Sequence, residues 1–522
     1  MRDGRVVVIG GGVGGLTSAA LLAAHGCDVT LVEAAPGPGG KLRAVMVDGE
    51  AVDGGPTVFT MRDVFDALFV ECGGALDDQL TLTPASTLAR HAWGEARLDL
   101  FADAGRSEAA IGDFAGAAEA RGYRAFRAEA RRLFEALDRP FMRSSKANPL
   151  TLGWRMGLRG VPDYLRPRAF TSLWRALGGY FGDPRLRQLF GRYATYSGSS
   201  PFACPATLML IAHAEASGVW LVKGGMHRLA HALEGLGRGV GARFRYEAPV
   251  AEILVEQGRA AGVVLASGER LAADWVVCNA DPAAVAAGAF GAAVRRAAQP
   301  MPPRRRSLSA LVWTARAATS GFPLAHHNVF FSNDYRAEFA ALAAGRQIEE
   351  PTIYVCAQDR GDDRPDPTGP ERLQILVNAP ATGDGAPLSP AEIETCRRHM
   401  LNSLSRAGLS VDPAGPSVLT TPSDFDRMFP STGGALYGPA SHGWAASFRR
   451  QGSRTAIPGL YCAGGSTHPG AGVPMAALSG RLAAACLLKD RASTSWSSRT
   501  VMPGGTSTRA ATPKVPMGAP TG

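Results

Sequence analysis

Arg5-Val6-Val7-Val8-Ile9-Gly10-Gly11-Gly12-Val13-Gly14-Gly15-Leu16 is the stretch on which the reading of the whole chain turns. Arg5 to Ile9 is a short β-branched run with the composition of a parallel strand buried on both faces. Glycines interrupt it, Leu16 to His25 has helical composition, and Gly26 marks a stop. Asp28-Val29-Thr30-Leu31-Val32 then forms a second apolar strand, closed by Glu33. Gly10-x-Gly12-x-x-Gly15 therefore sits between a strand and a helix, within a βαβ unit of about thirty residues. Gly10 permits the tight turn, Gly12 and Val13 bring the helix N-terminus up to a pyrophosphate, and Gly15 allows close packing. Glu33 is placed to accept a hydrogen bond from a ribose hydroxyl. Turn, helix start and acid in register predict a dinucleotide site.

Val6 to Ala24 carries no charge and follows Arg2 and Arg5, which imitates a signal peptide or an N-terminal membrane helix. Five glycines inside it argue against a helix of that length. The rest of the chain offers no other apolar stretch of spanning length, so no membrane span is expected. With 522 residues, 46% hydrophobic and 19% charged, the chain has the composition of two or three globular domains and excludes wholesale disorder. Its 63 glycines and 36 prolines mark many turns without a collagen period. The eight cysteines show neither a C-x-x-C pair nor histidine at zinc-ligand spacing, and read as reduced, mostly buried thiols on the cytosolic side of a membrane. His227 and His231, four apart, suit one face of a helix, but no third ligand accompanies them and no metal is expected.

Farther along, residues 105–135 alternate alanine, arginine and glutamate at helical spacing, as a helical pair opening a second domain would. The net charge of +9 is concentrated between Arg139 and Arg175, interleaved with Trp154, Phe170 and Trp174. Short strands at Phe244–Tyr246, Val250–Val255, Gly262–Leu265 and Trp275–Cys278 predict a small antiparallel sheet. Ile353–Cys356 and Gln374–Asn378 read as strands around a Pro/Asp/Gly-rich loop at 359–370. The expected organisation is an α/β, Rossmann-like FAD-binding domain assembled from 1–100, 215–285 and 425–490. A second, mixed α+β substrate domain takes 101–214 and 286–424, and 491–522 forms a disordered tail.

Three further stretches carry a resemblance. Pro38-Gly39-Gly40-Lys41-Leu42 follows the ribose acid, and Asp53-Gly54-Gly55-Pro56-Thr57 comes next. Near the C-terminus, Tyr461-Cys462-Ala463-Gly464-Gly465-Ser466-Thr467-His468-Pro469-Gly470-Ala471-Gly472-Val473-Pro474-Met475 ends a strand at glycines and begins a helix. Over roughly residues 5–490 the chain resembles bacterial phytoene-desaturase-type carotenoid desaturases, within the amine-oxidase superfamily. It is most similar to the branch that introduces a C-3,4 double bond into acyclic 1-hydroxy or methoxy carotenoids such as 1-hydroxyneurosporene; one local basis is Gly218 to Met226. The resemblance implies FAD as cofactor. It assigns Gly40, Lys41 and Leu42 to the pyrophosphate wrap and Gly55, Pro56 and Thr57 to the flavin side. Val250 falls at the adenine, Gly464 and Gly465 at the ribityl chain, and Gly472, Val473 and Met475 at a helix start facing the flavin ring. A structural role in its Pro-Gly loop is the favoured reading of His468, with service as a weak catalytic base beside the flavin as the alternative. Tyr193, Tyr196 and Ser197 to Ser200 are expected at the substrate entrance. One departure stands out, because Gly464-Gly465-Ser466 lacks the acid that many FAD proteins carry after the glycine.

The implied partners are an acyclic carotenoid, a quinone or O₂ as electron acceptor, and the cytoplasmic face of a membrane. The basic aromatic stretch would lie in that interface, with Trp154 and Trp174 as anchors. Nucleic acid is not an expected partner. Phytoene desaturation, carotenoid cis–trans isomerisation, amine oxidation and non-catalytic carotenoid carriage remain the alternative readings.

Overall fold

The computed structural model describes residues 4–146, 148–155, 170–346, 348–362, 365–385 and 387–498. Strand β1 (Arg5–Ile9), helix α1 (Val13–Ala24) and strand β2 (Asp28–Val32) form the expected βαβ unit. β1 pairs in parallel with β2 on one side and with Trp275–Cys278 on the other. Leu460–Cys462 and Arg243–Arg245 complete a five-stranded parallel sheet, running Leu460–Cys462, Trp275–Cys278, β1, β2, Arg243–Arg245.

Alternation along β1 explains why both faces are covered. Val6 and Val8 pack with Leu16, Leu22, Leu229 and Leu478 on the helical face. Val7 and Ile9 pack with Ile253, Val263 and Val285 on the other. Each such aliphatic side chain contributes about 1.5–3 kcal/mol by leaving water. The last helix, Val473–Ser498, crosses α1 at two glycines: a Cβ on Gly480 would stand 2.3 Å from the Gly14 carbonyl oxygen. The Ser18 hydroxyl lies 2.8 Å from the Gly14 carbonyl and 3.1 Å from the Gly480 carbonyl, stitching the crossing together. The N-termini of both helices are thereby brought to one end of the sheet.

A seven-stranded mixed sheet forms the second layer, in the order Ser417–Thr420, Ser309–Ala317, Glu371–Ala379, Ile353–Ala357, His327–Phe330, Thr87–Trp93, Ala96–Phe101. Helices Ala104–Ala115 and Ala117–Leu137 pack beside it, the first capped by the Asp103 carboxylate accepting from the Arg106 N–H. Behind them Phe126 meets Tyr180, Phe181 and Phe190 in an aromatic cluster.

Four expectations need correction. Residues 87–101 belong to the larger sheet rather than to the nucleotide-binding portion, because Asn328–Phe330 offers a parallel edge to Arg90–Ala92. Arg243–Arg245 and Trp275–Cys278 leave the small antiparallel sheet, which keeps only Val250–Glu256, Arg259–Leu265 and Arg270–Ala272, and extend the parallel one instead. The last helix continues through Ser498, eight residues into the stretch expected as a tail; 499–522 lie outside the described residues. Trp174 packs against Phe202 and Tyr335, at ring separations of 4.7 and 6.0 Å, so it is part of a core and not an interfacial anchor. All eight cysteines are buried. Among the described residues no helix is long and apolar enough to cross a membrane.

Candidate active site

One cavity of about 750 Å³ runs from the glycine turn after β1 to the inner face of the larger sheet. Gly10, Gly12, Val13, Glu33, Gly40, Lys41, Leu42, Gly55, Pro56, Thr57, Val250, Gly465, Gly472, Val473 and Met475 all line it. Residues scattered over more than 460 positions of sequence thus converge on a single surface. Gly15 and Gly464 do not reach it. They shape the wall from behind: a Cβ on Gly15 would meet the Gly10 carbonyl oxygen at 2.0 Å, and one on Gly464 the Asn279 Oδ1 at 2.9 Å.

Glu33 is held by its neighbours before any ligand arrives. Its Oε2 accepts from the Gly11 N–H at 2.5 Å and its Oε1 from the Ala35 N–H at 2.8 Å. The first turn of α1 leaves its N–H groups without intrahelical partners, with Gly12 as the N-cap. The 39–42 loop closes over this turn, Gly39 donating to the Gly11 carbonyl. It also packs backbone to backbone against the 53–57 loop, where a Cβ on Gly55 would stand 2.0 Å from the Lys41 carbonyl oxygen. Asp53 anchors the second loop through bonds from the Met226 and His227 N–H groups, at 2.6 and 3.0 Å, and a 2.8 Å contact with His227 Nδ1.

Burial holds the Lys41 ammonium below its ordinary range, opposed by the nearby Asp281 carboxylate. Lys41 donates to the Leu436 carbonyl at 2.8 Å. Arg450, also buried, is pushed down to about 10 by desolvation, again opposed by Asp281. The glycines open the right kind of space: a Cβ on Gly465 would meet nothing within 4 Å. A carboxylate poised beside a helix N-terminus, a glycine-lined trough and a buried cation fit a flavin adenine dinucleotide.

Asn279 and Asp281 are the site residues that the sequence reading missed. Asn279 Nδ2 lies 3.3 Å from the Gly10 carbonyl oxygen, bracing the turn, and both residues line the cavity. Their signal was positional, since Asn279-Ala280-Asp281 follows directly on a buried parallel strand. Asp281 also answers the departure at Ser466. The Ser466 hydroxyl donates to Asp281 Oδ2 at 2.5 Å, so a carboxylate reaches this place from a different segment.

His468 is set back from the cavity wall. Its ring is 1% exposed, does not line the cavity, and donates from Nε2 to the Phe141 and Ser144 carbonyls at 3.0 and 2.9 Å. Burial lowers its pKa, with those two carbonyls opposing. It ties the 138–146 segment to the Pro-Gly loop. Of the expected entrance residues, Tyr196 lines the cavity, whereas Tyr193 and Ser197 to Ser199 lie in the surrounding packing. His326, His327 and Cys356 bring their ligand atoms within 4.8 Å of one another. The two imidazoles are engaged, His327 with the Tyr354 hydroxyl and His326 with the Arg360 carbonyl, and burial pushes the Cys356 thiol up to about 12.

The flavin-containing amine oxidoreductase family matches residues 13–488. A hydroxyneurosporene desaturase from Rubrivivax gelatinosus is 52% identical over 98% of both chains, and one from Cereibacter sphaeroides 49% identical over 94% of this chain and 99% of its own. The chain belongs to the flavin-containing amine oxidoreductases, in their carotenoid-desaturase branch. Among solved structures, putrescine oxidase bound to putrescine shares the fold at a TM-score of 0.58 and 17% identity, covering 93% of this chain and 99% of its own. The protein is an FAD-dependent oxidoreductase of Rossmann-like α/β architecture.

Proposed function

We propose that the protein desaturates acyclic carotenoids bearing a 1-hydroxy or 1-methoxy end, introducing the C-3,4 double bond. One observation carries the reading: the glycine-lined trough continues into a chamber walled by Phe134, Met142, Leu210, Ile211, Val329 and Leu376, apolar enough for a polyene. The substrates in the names of the two bacterial relatives support the choice of end group.

In this reading Glu33 holds the adenosine ribose and the backbone at Val250 flanks the adenine. Gly12, Val13 and the 40–42 loop with Lys41 receive the pyrophosphate, and Asp281 with Gly465 receives the ribityl chain. The 55–57 loop and the Gly472–Met475 helix start flank the ring. Bound FAD supplies the two-electron acceptor for a reaction that removes a hydride and a proton from adjacent carbons of the substrate. The apolar walls exclude water, and the partial positive charge at the start of the last helix favours electron density beside it. A quinone or O₂ then takes the electrons.

The substrate is delivered from a membrane surface. Leu150 and Trp154 are each 84% exposed, and the exposed Phe170 and Trp444 meet edge to face at 5.8 Å. Exposed large apolar side chains at these places suit contact with a membrane surface. Arg159, Arg166 and Arg168, expected to join it, lie outside the described residues. Replacing Leu150, Trp154 and Trp444 with alanine should weaken co-sedimentation with anionic liposomes; undiminished co-sedimentation would remove the patch from the reading.

The deciding experiment is anaerobic mixing of the FAD-loaded protein in liposomes with 1-hydroxyneurosporene and with phytoene. Flavin bleaching and a red-shifted product two hydrogens lighter, from the hydroxylated substrate alone, are expected. Turnover of phytoene instead, or isomers without bleaching, would overturn the proposal.

A further inference from the structure

A buried ion pair interrupts the apolar chamber. Arg192 and Glu215 are 5% and 3% exposed, yet both line the cavity, with Thr195 and Tyr196 beside them. Tyr193 and Tyr196 donate their hydroxyl hydrogens to the two Glu215 oxygens, at 2.7 and 2.6 Å. Arg192 Nη1 donates to the Tyr196 hydroxyl at 2.9 Å. The guanidinium is otherwise short of acceptors: Nη2 stands 3.6 Å from Glu215 Oε1, and neither Nη2 nor Nε has a hydrogen-bond partner. Arginine is donor-only, so what this cluster lacks is an acceptor atom. Arg192 reaches the cavity wall, where an oxygen could accept from the guanidinium and a hydrocarbon could not.

The cluster's position matters as much as its chemistry. Arg192 and Tyr196 line the same cavity as Tyr354. Tyr354 in turn shares a 2.6 Å hydrogen bond with Thr57, in the loop assigned to the flavin side. In a 1-hydroxycarotenoid the oxygen is three bonds from C-3, within about 4 Å at ~1.5 Å per bond. Recognition of that oxygen must therefore occur next to the reacting bond, and the proposed place for it is the ion pair's part of the cavity.

Resting on the proposed function, we infer that Arg192, held by Glu215 and Tyr196, is the residue that recognises the oxygenated terminus of the substrate and sets the enzyme's preference for it. Hydroxyl and ether oxygens both accept hydrogen bonds, so a 1-methoxy end is recognised as well. The pairing with Glu215 keeps the guanidinium oriented when the site is empty.

The test compares 1-hydroxyneurosporene with 1,2-dihydroneurosporene, which has the same saturated end without the oxygen, by the anaerobic rate of flavin bleaching. The wild-type protein should prefer the hydroxylated substrate at least about 100-fold in kcat/KM, as sites built around a substrate hydroxyl do. In the Arg192→Met, Glu215→Gln double variant, which leaves no unpaired buried charge, that preference should collapse at least tenfold with FAD content unchanged. Arg192→Lys, which keeps a charged donor, should retain part of it. Equal bleaching of the wild type by both carotenoids would overturn this assignment and leave the desaturase reading standing. So would an undiminished preference in either variant. Bleaching by neither would overturn the desaturase reading itself. The wild-type comparison requires no variant to fold.

Discussion

Gly15→Ala pits two effects of opposite sign against each other. Alanine is the best helix former, and replacing an interior helical glycine with it is worth about 1 kcal/mol in favour of folding. Gly15 lies inside α1, so propensity alone predicts stabilisation. The structure predicts the reverse. The new Cβ would stand 2.0 Å from the Gly10 carbonyl oxygen and 3.2 Å from the Asn279 Cβ. Cβ atoms do not approach backbone oxygen closer than about 3 Å, so α1 must move about 1 Å away from the turn. Overpacking of this size costs about 1–3 kcal/mol, and here no flexible side chain can yield. The net expectation is a loss of about 1–2 kcal/mol, together with weakened retention of FAD, because the turn and the helix N-terminus separate. Gly235→Ala supplies the internal comparison. It sits within the helix Arg228–Gly239, its added Cβ meeting only the Gln79 Oε1 at 3.6 Å, and it should gain stability. Denaturant melts and the flavin-to-protein absorbance ratio of both variants decide the matter. A Gly15→Ala protein as stable and as yellow as the wild type would show that close helix packing is not why glycine occupies that position.

Two other outcomes are expected. Glu33→Gln removes a charged acceptor of two backbone N–H groups and places an amide N–H against one of them; FAD titration should show affinity lower by about ten- to a hundredfold, since hydrogen bonds to charged groups are worth about 1.5–3 kcal/mol. Glu338 is buried against the Ser332 and Thr352 hydroxyls, and burial raises its pKa from 4.5 to about 7. Its neutral form is favoured in the fold, so its contribution is full below about pH 4.5 and declines as pH climbs to about 7, by roughly 3 kcal/mol in all. Glu338→Gln should flatten that part of the stability–pH curve, and an unchanged slope would count against the burial argument.

The nucleotide end of the site was legible in the sequence because its chemistry is local. Strand, glycine turn, helix and Glu33 are contiguous, and each obeys a short-range rule. The polyene end was not, because it is made by tertiary neighbours. Arg192 and Glu215 are 23 positions apart on unremarkable helical segments, and only packing shows that they share a cavity. The partners of His468 were hidden for the same reason. Its loop stands close in sequence to the helix start at the ring, but the side chain turns back to the Phe141 and Ser144 carbonyls. The strand Thr87–Trp93 pairs with a strand more than 200 residues later, and sequence order says nothing about which edge a strand will find.

The parallel sheet also sets an order of events during synthesis. Its strands are drawn from positions 5, 28, 243, 275 and 460, so β1 waits for a partner made hundreds of residues later. At about 5–20 residues per second, roughly half a minute to a minute and a half separates the first strand from the last. Until Leu460–Cys462 and the following helix emerge, the edge beside Trp275–Cys278 is unpaired and the pocket has no wall at Gly465 or Gly472. The nascent protein thus cannot close its pocket until Gly472 and the helix that follows it have left the ribosome, and loading with flavin reports that this wall has been made.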